Sequence, residues 1–279
     1  MAIITVSRGS KSGGVEFAEC LAHCLGFASL SHEVTTQAAE NLGIPEELLL
    51  GKIQKGAGAW ERLTTNRRLY VIAVQSALAD ACIAGDLVYH GYAGHMLLKG
   101  IPTVFKVRLI APMDMRIRTV MGELGLSYED ARYYIHYVDQ ERVSWTKFVF
   151  GVDWHDPANY DVVINLADMS IDTACALVGA VAQLPAYQST EPVRKKLRDF
   201  ALACRVKLAL AKHPAFRAAQ FQVTADDGKV EILGESGSAD FLLKQAGPNE
   251  HEVQLVAESV MGVQTVTVDL RRFADIAEA

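Results

Sequence analysis

Several features that would assign a protein to a class at first sight are missing from this chain of 279 residues. Basic residues are not in excess: 27 lysines and arginines stand against 33 aspartates and glutamates, a formal net charge of −6. This balance argues against bulk electrostatic binding of nucleic acid, but it still permits a local basic pocket for a small anion. No apolar run approaches the roughly 18 residues that span a bilayer, and the first residues lack a secretion signal. We therefore expect a soluble, cytoplasmic protein without a transmembrane segment.

Cysteine pairs with metal-binding spacing are also missing. The five cysteines form no C-x-x-C pair. Cys20 and Cys24 stand four residues apart on a predicted helix with His23 between them, but further ligands for a metal ion are absent nearby. We predict no metal site and interpret the cysteines as reduced, mostly buried thiols, which suits the cytoplasm.

The sequence opens with the unit that begins many nucleotide-binding folds. A β-branched apolar run at residues 2–6 predicts a buried parallel strand, and residues 15–25 predict a helix that stops at Gly26. Between them lies the glycine-rich segment Ser7 to Gly14, which we call the phosphate loop. Its backbone N–H groups and the start of the helix favour a phosphate, with Arg8, Ser10, Lys11 and Ser12 as further donors. A helix-entry turn without a ligand is the alternative.

Strands and helices alternate over the next 160 or so residues. The patterns predict strands at 27–30, 87–90, 103–111 and 160–166, and helices at 35–42, 46–53, 67–83, 113–124, 128–138 and 171–183, with a flexible connector at 55–59. Ser127 and Asp130 form a capping box before one of these helices. We expect an α/β fold with a P-loop: a three-layer parallel sheet with helices on both faces.

The phosphate loop departs from the pattern G-x-x-x-x-G-K-[ST]. Arg8 stands where the first glycine belongs, and Gly14 stands where the lysine belongs. The exchange removes the charge that usually meets the β- and γ-phosphates. Lys11 could supply such a charge only from a different position of the backbone.

Five stretches of residues 1–183 resemble the cytidylate-kinase-like family. They are Ile3-Ile-Thr-Val-Ser-Arg8 with Ser12-Gly-Gly14, Asp86-Leu-Val-Tyr-His-Gly91, the run from Val107 to Arg118, Asp139-x-x-Arg142, and Gly151-x-Asp-Trp-x-Asp-Pro157 continued by Tyr160-Asp161 to Asn165. The last stretch is the most specific. The resemblance implies a nucleoside-monophosphate-kinase fold, with ATP as donor, Mg²⁺ as its ion and a CMP-like acceptor.

The same resemblance implies roles for particular residues. Arg8, Gly9, Ser10, Lys11, Ser12, Gly13 and Gly14 would bind the phosphates of ATP, and Arg116, Asp139 and Arg142 would act in catalysis from a helical lid. Tyr92 follows Gly91 where the family has an arginine. A tyrosine donates one neutral hydrogen bond and cannot replace a charged guanidinium that faces phosphate. The implied function is an ATP-dependent phosphotransferase; a nucleotide-binding protein that has lost the chemistry is the alternative.

The pattern changes after residue 184. We predict a first domain at 1–184, a linker at 185–192, and a small α+β domain at 193–272 made of a helix, a hairpin around Asp226 to Lys229, a helix and a strand. The phrases Asp227-Gly-Lys-Val230-Glu-Ile-Leu-Gly234 and Val260-Met-Gly-Val263-Gln-Thr-Val266 resemble BON domains, which implies a regulatory or binding module for another protein or a membrane surface. The basic run Arg194-Lys-Lys196 with Arg198 and Arg205 would contact anionic lipid or form an ordinary solvated helix face.

Four further groups of residues carry weaker hypotheses. Arg67 and Arg68 would hold an acceptor phosphate or only begin a helix, and His90 or His95 would serve as a general base. The aromatic residues Tyr133, Tyr134, Tyr137, Trp145, Phe148 and Phe150 are interpreted as packing around the lid. Asp153, Trp154 and Asp156 are interpreted as a structural turn, in preference to a metal site.

Overall fold

The computed structural model describes residues 2–49, 64–216, 219–235 and 249–270, of which the side chains of 64–67 and 235 are left aside. The strands are β1 (Ile3–Arg8), β2 (Ala28–Leu30), β3 (Leu87–Tyr89), β4 (Val104–Ile110), β5 (Val162–Asn165), β6 (Gln220–Asp226), β7 (Lys229–Glu235) and β8 (Thr265–Asp269). The helices are α1 (Gly14–Leu25), α2 (His32–Leu42), α3 (Thr64–Ala84), α4 (Gly94–Leu97), α5 (Met113–Leu124), α6 (Tyr128–Phe150), α7 (Ile171–Ala182), α8 (Glu191–Lys212) and α9 (Glu250–Glu258). Residues 46–49 are also helical.

The first sheet has the order β2-β3-β1-β4-β5, and all of its strand pairs are parallel. Side chains alternate across β1: Ile4 and Val6 belong to a core shared with α1 and α7, whereas Ile3 belongs to the core shared with α2 and α3. Each face of the sheet is therefore covered by helices, and the predicted three-layer fold is confirmed.

A second, smaller sheet has the order β6-β7-β8. β6 and β7 form the predicted antiparallel hairpin, and β8 lies parallel to β7. Phe221, Val230 and Ile232 point from this sheet into a core completed by α8 and α9. The predicted order of helix, hairpin, helix and strand is thus present, while the likeness to BON domains stays a prediction.

Helix α8 is buried on two sides because its apolar residues form two stripes. Leu202, Val206 and Leu210 belong to the core of the second sheet, while Ala201 packs with Ala79 of α3 on the opposite side. α8 begins at Glu191, inside the predicted linker, which also contains a 3₁₀ turn at Pro185–Tyr187. The division into domains at 1–184 and 193–272 stays a prediction.

The basic residues of α8 are mostly paired with carboxylates. Arg194 and Arg198 bind Glu191, Lys195 binds Asp199 and Asp226, and Arg205 lies 3.4 Å from Asp80 of α3. These pairs fit the interpretation of an ordinary solvated helix face better than a lipid-binding patch.

Helix α6 is longer than the sequence predicts, since it continues from 138 to Phe150. It stops only at Gly151, whose φ of 70° ends the helix in the left-handed region. The capping box is confirmed, because the Asp130 amide donates to Ser127 Oγ at 3.2 Å. The short helix α4 was not predicted, and the predicted residues 50–53 and 55–59 lie outside the described residues.

In the described part of the chain, no helix combines the length and hydropathy needed to cross a membrane.

The α3–α8 contact leads to a first prediction, on stability. Ala79 is fully buried against Ala201, so Ala79→Leu inserts three carbon atoms into a packed interface. We expect the free energy of unfolding in urea to fall by about 1–3 kcal/mol. Ala176→Leu on the exposed side of α7 serves as the control and should change it by less than about 0.5 kcal/mol. Equal effects of the two substitutions would contradict the packing of α8 on α3.

Candidate nucleotide-binding site

The phosphate loop turns sharply between β1 and α1. Lys11 (φ 55°) and Gly13 (φ 78°) both adopt the left-handed conformation, and Ser12 Oγ donates to the Gly9 carbonyl at 3.0 Å. Gly13 occupies the N-cap of α1, and no described side chain caps this helix. The amides of the first turn are therefore directed toward any anion that enters the loop.

Two lid residues predicted to be catalytic hold the loop from outside. Arg116 of α5 donates from Nε to the Ser10 carbonyl at 2.7 Å and from Nη2 to Asp139 at 2.5 Å. Asp139 of α6 accepts the Ser10 amide at 2.8 Å. Both polar groups of the Ser10 backbone are thus satisfied by the lid, and the Arg116 guanidinium lies over Gly9.

The third predicted residue, Arg142, also contacts the loop. Its Nη1 donates to the Arg8 carbonyl at 2.7 Å and lies 4.0 Å from Asp139. Burial is the main cause that lowers the pKa of Arg142, and Asp139 opposes it. The structure therefore brings Arg116, Asp139 and Arg142 together around the phosphate loop, and each of the two arginines donates a hydrogen bond to a loop carbonyl.

A pocket of about 700 Å³ opens over the loop. Loop residues 7–14 form its floor, α6 forms one wall, and the ends of β2 and β3 with the start of α2 form the other. The residues from the second wall are Ser31, His32, Thr35, His90, Gly91, Tyr92 and Ala93. Ligands of open α/β sheets bind at the carboxyl ends of the strands, which is where this pocket lies.

The wall formed by α6 is one continuous face of the helix. Its members are Tyr134, Tyr137, Val138, Glu141, Arg142, Trp145 and Thr146. Counted from Tyr134 they stand at i, i+3, i+4, i+7, i+8, i+11 and i+12, so they share one side of an α-helix. The last four lie beyond the predicted end of the helix at 138, so only the full length of α6 places them beside the loop.

Lys11 does not supply the charge that the loop lacks. Its Nζ pairs with Glu123 near the end of α5, which directs the ammonium toward the lid. Tyr92, at the position where the family has an arginine, lies with its ring 6.3 Å from that of Trp145. Arg142 is close enough for Tyr92 to influence its pKa, so a guanidinium does reach this part of the pocket, but from α6.

Arg108 is a buried residue that sequence reasoning missed. It is 5% exposed, and its guanidinium lies 4.1 Å from the centre of the Trp154 ring. It donates to the Trp154 carbonyl at 2.5 Å and to the Tyr160 hydroxyl at 3.2 Å. The signal was an arginine next to the apolar residues Val107 and Leu109 of β4, since a buried guanidinium requires partners from elsewhere in the fold.

The segment around Trp154 fixes the end of β1. Trp154 Nε1 donates to Ser7 Oγ at 2.9 Å. Asp153 accepts the His155 amide at 2.8 Å, and Asp156 accepts the Ala158 amide at 2.9 Å. The two carboxylates thus cap their own turns, which confirms the structural interpretation of this segment.

The two histidines near Gly91 have different surroundings. His90 lines the pocket with its Nε2 3.2 Å from Ser29 Oγ, whereas the His95 ring packs 4.8 Å from that of Tyr160. Burial, helped by Arg8 for His90 and by Arg108 for His95, lowers the pKa of each to about 4. Of the two, only His90 faces the pocket, as a neutral imidazole at pH 7.

Two other hypotheses change. Arg68 donates to the Ala219 carbonyl at 2.7 Å, which directs it toward the C-terminal sheet and away from the pocket, so the acceptor-phosphate role is wrong for this residue; the side chain of Arg67 lies outside the described residues. Among the aromatic residues interpreted as packing, Trp145 fits that interpretation, because it is buried against Phe150. Tyr133 is instead 73% exposed, stacked on Tyr137 at 6.5 Å.

The loop fits a phosphate group, because uncapped amides and the side chains of Arg8 and Arg142 share one space. The magnesium ion that accompanies ATP would meet different ligands. Val15 follows Gly14 where the pattern has Ser or Thr, and no three His, Cys, Asp or Glu side chains of the described residues form a metal cluster. Glu16 and Glu141 line the pocket and would hold the ion, since Mg²⁺ is commonly bound by one or two carboxylates together with phosphates and water.

The strand order, the glycine-rich loop and the lid define a P-loop protein of the nucleotide-kinase type. The model of the cytidylate kinase-like family matches residues 3–168, more than half of the chain. The chain therefore belongs to the cytidylate kinase-like family. The match ends before the C-terminal sheet, and the chain matches no curated protein sequence.

Comparison with solved structures finds one that shares the fold of the first sheet. An uncharacterized protein from Eubacterium ventriosum ATCC 27560 superposes with a TM-score of 0.52 at 18% identity, over 65% of this chain and 98% of its own. More distant are a shikimate kinase from Bacteroides thetaiotaomicron (TM-score 0.41, 11% identity, 66% of this chain and 99% of its own) and a gluconokinase from Sinorhizobium meliloti 1021 (TM-score 0.37, 12% identity, 64% and 91%). At such identities the first of these likenesses shows the fold alone.

The contacts of Asp139 lead to a prediction on stability. Asp139→Ala leaves the Ser10 amide and the buried Arg116 guanidinium without their carboxylate, so we expect the free energy of unfolding in urea to fall by about 1–3 kcal/mol. Glu129→Ala, in the exposed first turn of the same helix, should cost no more than about 0.5 kcal/mol. If the two variants are equally stable, Asp139 does not hold the loop.

The buried His95 leads to a prediction on pH dependence. The pKa of His95 is lowered from 6.5 to about 4 by folding. Between these two pH values, His95 is protonated in the unfolded chain but stays neutral in the folded protein. The stabilisation from neutral His95 is therefore complete above pH 6.5 and is lost as the pH falls toward 4, by about 3 kcal/mol. In urea unfolding at pH 7 and pH 4.5, His95→Phe should lose correspondingly less stability than the wild type.

His136→Phe replaces an exposed histidine of α6 by the same residue, and serves as the matched control for the substitution itself. A wild-type pH dependence in His95→Phe would show that His95 does not titrate with folding.

Proposed function

We propose that this protein is a cytoplasmic phosphotransferase that moves the γ-phosphoryl group of Mg-ATP to a CMP-like nucleoside monophosphate. One observation carries the proposal: the phosphate loop, the arginine-bearing face of α6 and the ends of β2 and β3 line the same pocket. Donor and acceptor phosphates would therefore meet in one pocket. Membership of the cytidylate kinase-like family supports the same reaction.

The residues of the pocket would act mainly by positioning and by charge. ATP with its ion supplies the phosphoryl group and part of the charge neutralisation. The loop amides hold its phosphate oxygens at the start of α1, while Arg8 and Arg142 direct positive charge into the space above the loop. Such fixed charges stabilise the charge that develops during transfer, and they need no reorganisation during the reaction.

The acceptor would lie against the wall opposite α6. This wall offers hydrogen-bonding side chains from Ser31, His32 and Thr35 at the start of α2, and from His90 at the end of β3. His90 is kept uncharged by burial and by Arg8, so it would accept or donate one hydrogen bond without adding charge. A ligand with a single phosphate and a polar, uncharged base suits this wall.

A nucleotide-binding protein without catalysis is the second candidate, and the pairing of Lys11 with Glu123 favours it. The only lysine of the phosphate loop is thereby directed toward the lid, and the neutral Tyr92 stands where the family has an arginine. In this case the pocket would sense a nucleotide, and the C-terminal sheet would be the module that responds to it.

An assay of ADP release distinguishes the two. We expect turnover of Mg-ATP that depends on CMP, dCMP or UMP, and we expect Arg142→Ala to reduce kcat by about 10²–10³-fold because it removes a fixed charge near the transferred group. Arg132→Ala, an exposed position on the same helix, is the control and should leave kcat unchanged. Thermal unfolding of each variant without ligand shows whether it is folded.

Stabilisation by ATP without turnover for any acceptor would leave the second candidate. If no nucleotide raises the unfolding temperature, neither candidate holds.

A further inference from the structure

Two positions of the phosphate loop are exchanged relative to the pattern G-x-x-x-x-G-K-[ST]. The pattern has glycine first and lysine seventh, and the lysine reaches the β- and γ-phosphates. This chain has Arg8 first and Gly14 seventh. The cation has therefore moved from the start of α1 to the end of β1, and the glycine has moved in the opposite direction.

The structure shows why the two positions depend on each other. A Cβ atom placed on Gly14 would lie 2.1 Å from Cδ of Arg8, 2.7 Å from its Cβ and 2.9 Å from its Cγ. Non-bonded carbon atoms pack at about 3.5–4.0 Å, so a side chain at position 14 would displace Arg8. The methylene groups of Arg8 thus occupy the space that a side chain of residue 14 would enter.

Within the described residues, the structure shows no hydrogen bond or ion pair to the Arg8 guanidinium. Its Nε is buried without a hydrogen-bond acceptor, although Arg8 lines the pocket. Burial, followed by the nearby Arg142 guanidinium, lowers the pKa of Arg8 to about 10, against smaller opposing effects of Tyr92 and Glu16. Two cations that share a largely buried site disfavour each other unless an anion lies between them.

We propose that Arg8 takes the place of the phosphate-loop lysine, reaching across Gly14 to bind the terminal phosphates of a nucleoside triphosphate. The inference rests on the proposed function for the identity of this donor. A guanidinium offers a planar fork that binds phosphate oxygens in pairs. Gly14 is required because it leaves the path of Arg8 open.

A double-mutant cycle tests this exchange. The variants are Arg8→Gly, Gly14→Lys, and the double variant Arg8→Gly with Gly14→Lys, which restores the pattern G-x-x-x-x-G-K. The affinities for ATP and for inorganic tripolyphosphate are measured by calorimetry. We expect Arg8→Gly to bind about 10- to 100-fold more weakly than the wild type, as for the loss of a charged hydrogen bond. The double variant should bind at least about tenfold more tightly than Arg8→Gly.

Gly14→Lys alone should also bind weakly, because its side chain competes with Arg8 for the same space. If this variant fails to fold, the comparison of Arg8→Gly with the double variant is sufficient, since neither contains the clash. Thermal unfolding without ligand reports folding, and Arg118→Ala on the exposed side of α5 controls for the loss of one positive charge.

The outcomes separate this inference from the proposed function. Recovery of affinity in the double variant supports the exchange even if no acceptor is phosphorylated, in which case only the proposed reaction fails. Wild-type affinity in Arg8→Gly, or no recovery in the double variant, overturns the exchange, even in an active enzyme. Failure of the wild type to bind ATP and tripolyphosphate overturns both.

Discussion

The carboxylate of Asp139 is the contact on which the geometry of the pocket depends. It accepts hydrogen bonds from the Ser10 amide and from the Arg116 guanidinium, and Arg116 in turn donates a hydrogen bond to the Ser10 carbonyl. α5, α6 and the phosphate loop are thereby joined at one point. Since α6 forms a whole wall of the pocket, this contact sets the distance between that wall and the loop on which a phosphate would rest. Arg142 adds a second contact between α6 and the loop, at the carbonyl of Arg8.

Positive side chains outnumber negative ones around this contact, although the protein as a whole is acidic. Arg8, Arg116 and Arg142 surround the loop, and Asp139 is the carboxylate bonded to two of them. Lys11 is neutralised by Glu123 and adds little to the field. A positive excess in a partly buried site acts more strongly than the same charges would in water. The net charge of the whole chain, −6, therefore says little about the pocket.

Sequence patterns predicted the strands and most helices, because buried parallel strands are short apolar runs and helices end at glycines such as Gly26 and Gly125. They could not predict the last part of α6. Its inward residues include Arg142 and Glu141, which a local pattern interprets as solvated, whereas Arg142 binds a carbonyl far away in the sequence. Arg108 was missed for the same reason. The resemblance indicated Arg116, Asp139 and Arg142, but their partners in the loop backbone appear only in three dimensions.

A positive charge carried by Arg8 at the end of β1 is positioned by different contacts from one carried by a residue at the start of α1. Arg8 is the last residue of a central strand and lies in register with Leu109 of β4, so its backbone is fixed by the sheet on one side and by Arg142 on its carbonyl. A lysine at position 14 would instead begin a helix and depend on the loop for its position. With the charge supplied from the strand, Lys11 is available to bind Glu123, and the loop itself needs to provide only backbone amides. The strand then supplies the charge, the loop supplies the amides, and α6 keeps the two at a fixed distance.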